Sequence, residues 1–364
     1  MSKILLITLD FPPRTGGVAR YLEALADFFK AEISVIAVPE AGSETFDQGV
    51  SYKIKRQELL SRFFWPRWFK TVGILFQERK NYQTLIVSHL LPLGAAAWLA
   101  KFFTGKPYIV IVHGMDVALV KPLPVKKCLS GLILRGAKVV VTNSAALAEE
   151  VKKDFGVKQT EVVYPGVRNF NYHIDADRHL HDNNRFNLLT VSRLVPRKGH
   201  LRTLEVVAKL KDQIPNLNYT IVGEGSMKDE LQKKIEELQL ASIVKIVGRV
   251  IDVELNEIYR QADVFVMPTV GGQADREGFG TVYLEAATFG VPSVASNLPG
   301  VDEAVLNEVT GLLIVDGDIG ALREAILCLW HELETRQRLG LAAKNRAVSE
   351  FTWEKQIVKF KKYV

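Results

Sequence analysis

The sequence predicts an α/β protein of two domains, each built on an open parallel sheet. Apolar runs of strand length alternate with helical patterns from end to end, which is the signature of that architecture. At 364 residues the chain exceeds what one hydrophobic core usually supports, so two domains of roughly 180 residues are expected. Each glycine-rich or charged constellation follows directly on a strand, at the sheet edge where open α/β folds bind ligands, so all are expected to face one cleft.

Strand one is read over Lys3–Leu9, and the loop Asp10-Phe11-Pro12-Pro13-Arg14-Thr15-Gly16-Gly17 leads into a helix over Val18–Lys30. Ile33–Val38 follows as a strand, with Ser51–Lys55 as a candidate further one. Thr84–Ser88, Tyr108–Val112, Lys138–Thr142 and the short Glu161–Tyr164 complete the first sheet. Residues 168–185 are polar and aperiodic, the composition of an interdomain linker, and divide a domain over 1–175 from one over 176–350. The second half restarts the rhythm with strands Phe186–Val191, Tyr219–Val222, Ile243–Val247, Asp263–Met267, Ser293–Ala295 and Gly311–Val315. Helices are expected near 200–212, 226–239, 253–261, 281–289, 319–332 and 334–348.

Composition narrows the function. An apolar fraction of 48% with 24% charged residues describes a folded globular chain rather than a disordered one. Cys128 and Cys328 lie far apart in helical patterns, with no disulfide framework or Cys/His metal spacing, as expected in a reducing compartment. The first apolar run is too short for a signal peptide, and no stretch approaches the roughly 18–20 apolar residues of a membrane span. The net charge of +6 favours acidic partners without choosing among nucleotide, lipid and nucleic acid.

Six constellations carry chemistry. Gly16-Gly17 precedes a helix, and glycine lets backbone N–H groups approach an anion; a tight turn serves the fold equally well. The third glycine of a dinucleotide fingerprint is lacking. His113-Gly114 ends the apolar strand Tyr108–Val112, and His89 ends Thr84–Ser88; either histidine also fits a structural role. His173, His179 and His181, in the linker, are read as solvated. Arg193 and Lys198 flank a Pro-bearing turn opening a helix, a receptor for diphosphate, while Arg197 is expected to point to solvent. Gly223-Glu224-Gly225 is a second turn suited to phosphate approach. Glu277 and Glu285 bracket a glycine-bearing turn and suggest either a hydrolase pair or ligands for a polyol; the apolar helix around Glu285 favours the polyol. Interleaved aromatics and cations over 62–70 fit a loop packed on the core, an element in lipid headgroups, or a single-strand nucleic-acid platform.

Gly16-Gly17, His113-Gly114, Ser192-Arg193 with Lys198-Gly199, Gly223-Glu224-Gly225 and the Glu277-(x)7-Glu285 pattern together resemble the retaining, nucleotide-sugar-dependent glycosyltransferases of family 4, over nearly the whole chain. The resemblance implies the GT-B fold, two Rossmann-like doubly wound domains facing a cleft, with residues 351–364 crossing back to the N-terminal domain. It implies that Arg193 and Lys198 hold the donor diphosphate and Glu285 the ribose. Glu277 and the Gly278-Phe279-Gly280 backbone would hold the sugar, with His113 near it and Gly16-Gly17 over the diphosphate. Gly223 would lie against the nucleotide, and Arg249 and Val250 near the base. The Arg276-Glu277-Gly278-Phe279-Gly280 version of the loop is similar to mannosyltransferases acting on phosphatidylinositol-type lipids. The expected activity is transfer of a hexose, first mannose from GDP-mannose, to a hydroxyl of a lipid or glycan acceptor, with no metal and no cofactor. A UDP-sugar donor, a GT-B epimerase, phosphorylase or hydrolase, and a degenerate binding module are the alternatives. The expected place is cytoplasmic, with peripheral attachment to the inner face of the membrane through 62–70 meeting anionic lipid. Nucleic acid is not an expected partner, and the sequence leaves the oligomeric state open.

Overall fold

A computed structural model describes residues 3–63, 65–167, 185–272 and 277–364. The chain forms two compact units, Met1–Gly166 with Trp353–Val364, and Val167–Thr352. The expected linker, with His173, His179 and His181, lies outside the described residues except for Arg185.

The first unit is a seven-stranded sheet of β1 (Ile4–Thr8), β2 (Ile33–Ala37), β3 (Lys53–Arg56), β4 (Thr84–Ser88), β5 (Tyr108–Val112), β6 (Val139–Thr142) and β7 (Thr160–Val162). Its order is β3-β2-β1-β4-β5-β6-β7, and every pair is parallel. β1, β4, β5 and β6 are buried along their whole length, which is why they read as unbroken apolar runs. β3, Lys-Ile-Lys-Arg, alternates because it forms the edge. The helices are α1 (Gly17–Phe29), α2 (Ser43–Gln48), α3 (Phe69–Glu78), α4 (Ala95–Thr104), α5 (Met115–Val120), α6 (Pro124–Gly136) and α7 (Ala145–Phe155). One core lies under α3 to α7, and the other lies under α1 and the chain's last residues.

The second unit has the six-stranded order β10-β9-β8-β11-β12-β13, again all parallel. Its strands are β8 (Phe186–Val191), β9 (Leu217–Val222), β10 (Val244–Gly248), β11 (Val264–Met267), β12 (Ser293–Ser296) and β13 (Gly311–Ile314). They alternate with α8 (His200–Leu210), α9 (Lys228–Glu237), α10 (Asp252–Gln261), α11 (Thr281–Thr288), α12 (Val301–Ala304), α13 (Ile319–His331) and α14 (Leu333–Glu350). The terminal helix α15 (Trp353–Ile357) packs in the first unit, where Trp353 meets Tyr21 edge to face at 5.6 Å and Ile357 joins the α1 core.

Both sheets reverse their strand order once, between β1 and β4 and between β8 and β11. Crevices open at the carboxyl ends of strands at such reversals, and the candidate residues collect there.

Candidate active site

In the second unit, β8 runs into Ser192-Arg193 and a single 3-10 turn, Pro196–Lys198, before α8. Lys198 is buried, and its Nζ donates to Glu277 Oε2. Arg197 Nη1 donates to the same oxygen at 2.6 Å. This corrects the expectation that Arg197 points to solvent. The tight turn swings two consecutive long side chains toward one carboxylate. Burial opposes ionisation of Glu277, but the charges of Lys198 and Arg197 prevail and hold its carboxyl at about 2. Burial lowers the Lys198 ammonium from its ordinary value, against the pull of Glu277. Arg193 is exposed and forms no ion pair among the described residues, though its positive charge acts on Lys198.

Glu285 sits on α11 and accepts a hydrogen bond from Tyr259 Oη at 3.0 Å. Tyr259 is stacked on Phe289 with ring centroids 5.4 Å apart. Phe279 is buried against Phe351 at 5.7 Å, anchoring the turn whose flanking Gly278 and Gly280 keep their backbone groups at the start of α11. Gly223 has a structural reason for its missing side chain, because a Cβ there would stand 1.9 Å from the Ser192 carbonyl oxygen. It lets the β9 turn press on the Arg193 loop, and Leu194 N–H completes the join to Glu224 O at 2.9 Å. Arg249 and Val250 follow β10, whose last residue Gly248 accepts from Gly223 N–H at 2.9 Å.

Sequence reasoning missed Asp316. It accepts from Gly271 N–H at 2.8 Å and pairs with Arg202 at 2.5 Å, so it holds the stretch entering the Glu277 loop. Its short, polar Val315-Asp316-Gly317-Asp318 setting reads as an ordinary turn.

In the first unit the carboxyl ends of β1, β4 and β5 bring together Asp10, His89 and His113. A Cβ on Gly16 or Gly17 would meet nothing within 4 Å, and both are exposed, Gly16 just before α1 and Gly17 as its first residue. Packing gives no reason for these glycines; the φ of +150 at Gly16 favours glycine there, and both leave their backbone open to approach. His113 is half-buried, its Nε2 3.0 Å from Ser88 Oγ and its backbone N–H donating to Asp116 Oδ1 at 3.1 Å. Burial pushes its imidazole down to about 4, so it is neutral at physiological pH. The sequence offers His89 for a functional or a structural role and does not single out Asp10, yet the two form a pair at 2.9 Å. Asp10 also pairs with Arg14 at 2.9 Å. His89 Nδ1 lies 2.7 Å from Ser88 O, so both ring nitrogens face acceptors, as an imidazolium requires. Burial lowers the His89 pKa, but the hydrogen bond and charge of Asp10 outweigh it and raise the value above the ordinary one. His89 also has φ +83, a conformation a non-glycine residue adopts only where its surroundings impose it. Sequence spacing carries no signal for a contact across 79 positions.

The segment 62–70 divides its aromatics. Trp68 is partly buried against the first unit's core, as the packing reading expects. Phe63 and Trp65 are exposed, and Phe64 lies outside the described residues.

A family model for glycosyltransferase family 4 matches residues 15–168, and one for glycosyl transferases group 1 matches residues 173–346. A Mycolicibacterium smegmatis protein described as a GDP-mannose-dependent alpha-(1-6)-phosphatidylinositol monomannoside mannosyltransferase is 30% identical over 96% of this chain and 95% of its own. The chain belongs to glycosyltransferase family 4. A Corynebacterium glutamicum relative, described as a GDP-mannose-dependent monoacylated alpha-(1-6)-phosphatidylinositol monomannoside mannosyltransferase, is 28% identical over 97% of this chain and 95% of its own. Among solved structures, sucrose-phosphate synthase from Thermosynechococcus elongatus superposes with a TM-score of 0.80 at 21% identity, covering 100% of this chain and 98% of that one. Anabaena HepE in complex with UDP and glucose gives 0.79 at 21% identity over 100% of both chains. The family 4 member described here thus has the GT-B fold and is a hexosyltransferase.

Proposed function

We propose that this transferase moves mannose from GDP-mannose to a hydroxyl of a lipid-borne or glycan acceptor, with retention of anomeric configuration and without a metal or other cofactor. The observation that carries the reading is the Arg197 and Lys198 pair on Glu277, where the second sheet reverses, with the charge of Arg193 acting on Lys198 beside it. As the bond from anomeric carbon to phosphate breaks, negative charge grows on the leaving diphosphate. Cations already held in place stabilise that state more than the ground state. The Glu277 ion pair keeps Lys198 and Arg197 oriented, with Glu277 and the Gly278-Phe279-Gly280 backbone receiving the sugar hydroxyls. Glu285, steadied by Tyr259, accepts from the ribose, and Arg249 and Val250 flank the base. Gly223 supports the Arg193 loop against the nucleotide. Gly16 and Gly17 offer backbone N–H groups to the diphosphate, and neutral His113 hydrogen-bonds the sugar. The acceptor hydroxyl attacks on the face the diphosphate leaves, and a departing phosphate oxygen takes its proton. The near full-length similarity to named mannosyltransferases supports the choice of donor and of a lipid-linked acceptor.

The same reading makes the enzyme cytoplasmic and peripheral on the inner leaflet. No helix among the described residues is long and apolar enough to cross a membrane. A thermal-shift panel of GDP-mannose, GDP, UDP-glucose and UDP tests the donor. At a 100-fold excess over Kd, GDP-mannose adds about 2.7 kcal/mol of stability. A response to the UDP pair alone replaces the donor. Free mannose or an epimer formed without acceptor replaces the reaction, and an inverted product linkage by NMR refutes retention.

A further inference from the structure

The layer of α3, α4, α5 and α6 buries one side on the first unit's sheet through residues such as Leu75, Ala100, Val120 and Leu134. Its other side is unusually apolar. Of the 18 large apolar side chains exposed among the described residues, 11 fall between positions 63 and 132. Phe63 is 96% exposed, Trp65 87%, Phe102 69% and Val125 82%. Leu123 stands between Pro122 and Pro124 at the elbow from α5 to α6, with Lys126 and Lys127 next along the chain. Apolar surface concentrated in this way marks an interface rather than chance exposure.

Charge selects the occupant. Residues 62–135 hold 11 Lys and Arg against two Asp and Glu, a net +9 in a chain whose total is +6. Glu78 is taken up at the surface by Lys55 and Asn81, and Asp116 by the backbone of Leu90 and His113. Of the cations, Arg62 pairs with Glu58, and Lys121 with Glu150 and Asp154, which leaves the balance positive. A second copy of this chain would bring like charge against like charge. A nucleic acid would pair with the cations but leave Leu123 and Val125 without a partner. An anionic bilayer satisfies both, taking the apolar side chains below its headgroups and the cations at their level.

We propose that the outer face of α3 to α6 docks on an anionic lipid leaflet, entering it at two points, Phe63 with Trp65 and Leu123 with Val125. This rests on the peripheral placement read above and gives its footprint, which extends well beyond residues 62–70. Co-sedimentation with phosphatidylcholine vesicles, with and without about one-third phosphatidylglycerol, tests it on the full chain. The wild type is expected to bind the anionic vesicles, and less so as salt rises. The pair Leu123→Ser and Val125→Ser, and separately Phe63→Ser and Trp65→Ser, should each weaken binding by about tenfold or more, since one buried aliphatic side chain accounts for that much. Lys126→Glu with Lys127→Glu, which takes the segment from +9 to +5, should weaken the preference for anionic vesicles. Ile251→Ser with Val253→Ser, equally exposed in the second unit, should bind as the wild type does.

Wild-type binding by the Leu123 and Val125 variant overturns the footprint while peripheral attachment stands. Equal wild-type affinity for neutral vesicles removes the electrostatic part, and no vesicle binding at all removes both. Tighter binding to single-stranded DNA than to anionic vesicles, or self-association lost in these variants, gives the face to another occupant.

Discussion

Lys198 and Arg197 are neighbours in sequence yet reach one carboxylate oxygen. Divergence of adjacent residues holds for strands, but a 3-10 turn spends one residue per third of a circle, and long side chains close the rest. Arg193 and Lys198 stood out in the sequence because cations beside a helix start suit a diphosphate, and the structure places Lys198 on Glu277 and leaves Arg193 exposed. The role of Arg197 depended on turn geometry that no spacing encodes. Lys198→Ala should lower turnover by about 10²–10³, the effect of removing a preorganised charge donor, and near-normal transfer rates would sink the assignment. Glu277→Gln leaves two buried cations without their anion and should cost about 3–5 kcal/mol of stability at neutral pH. The Glu277 pKa is depressed on folding, so its contribution is present above the ordinary carboxylate value. It fades as pH falls from about 4.5 toward about 2. Denaturant melts across that window should show wild type and variant converging, and a constant gap would contradict the ion triad.

At the scale of elements, the strands were legible almost throughout, because fully buried parallel strands such as Tyr108–Val112 leave unbroken apolar runs. The glycines were less so. Gly16-Gly17 and Gly223-Glu224-Gly225 look alike in sequence, but the first meets open space while Gly223 receives a backbone oxygen. Only the packing of β9 against the β8 loop separates those cases. The carboxyl ends of β1, β4 and β5 were the larger omission. Sequence pointed to His113, which is neutral, and to His89, but passed over Asp10 and the charged pair it makes with His89. Asp10→Asn removes the charge that outweighs burial at His89, so His89 should titrate at lower pH than in the wild type by NMR. An unchanged titration would mean that Asp10 does not set its protonation. The sign for stability follows from the raised value. Protonated His89 contributes fully below the ordinary histidine pKa while Asp10 stays ionised, and that contribution is lost as pH rises through the raised value.

Across the whole molecule, two surfaces are proposed for two ligands with separate physics. The carboxyl edge of the second sheet would offer preorganised cations to a diphosphate, and the outer face of α3 to α6 would offer spread charge and apolar side chains to a lipid leaflet. Hydrogen exchange tells them apart in one chain. Donor at a 100-fold excess over Kd adds about 2.7 kcal/mol to any opening that breaks its site, which slows exchange there by roughly a hundredfold. Slowing with GDP-mannose is therefore expected over 192–199 and 277–285, where the Arg193 loop and the start of α11 lie, and not along α3 to α6. Anionic vesicles should do the reverse, protecting the elbow at Leu123 and the segment around Trp65. A bilayer contacts backbone only where side chains insert, so this second effect should be confined to those two stretches rather than spread over the layer. Donor protection appearing in α3 to α6 would merge the two surfaces into one. Vesicle protection appearing over 192–199 would move the lipid contact to the donor site.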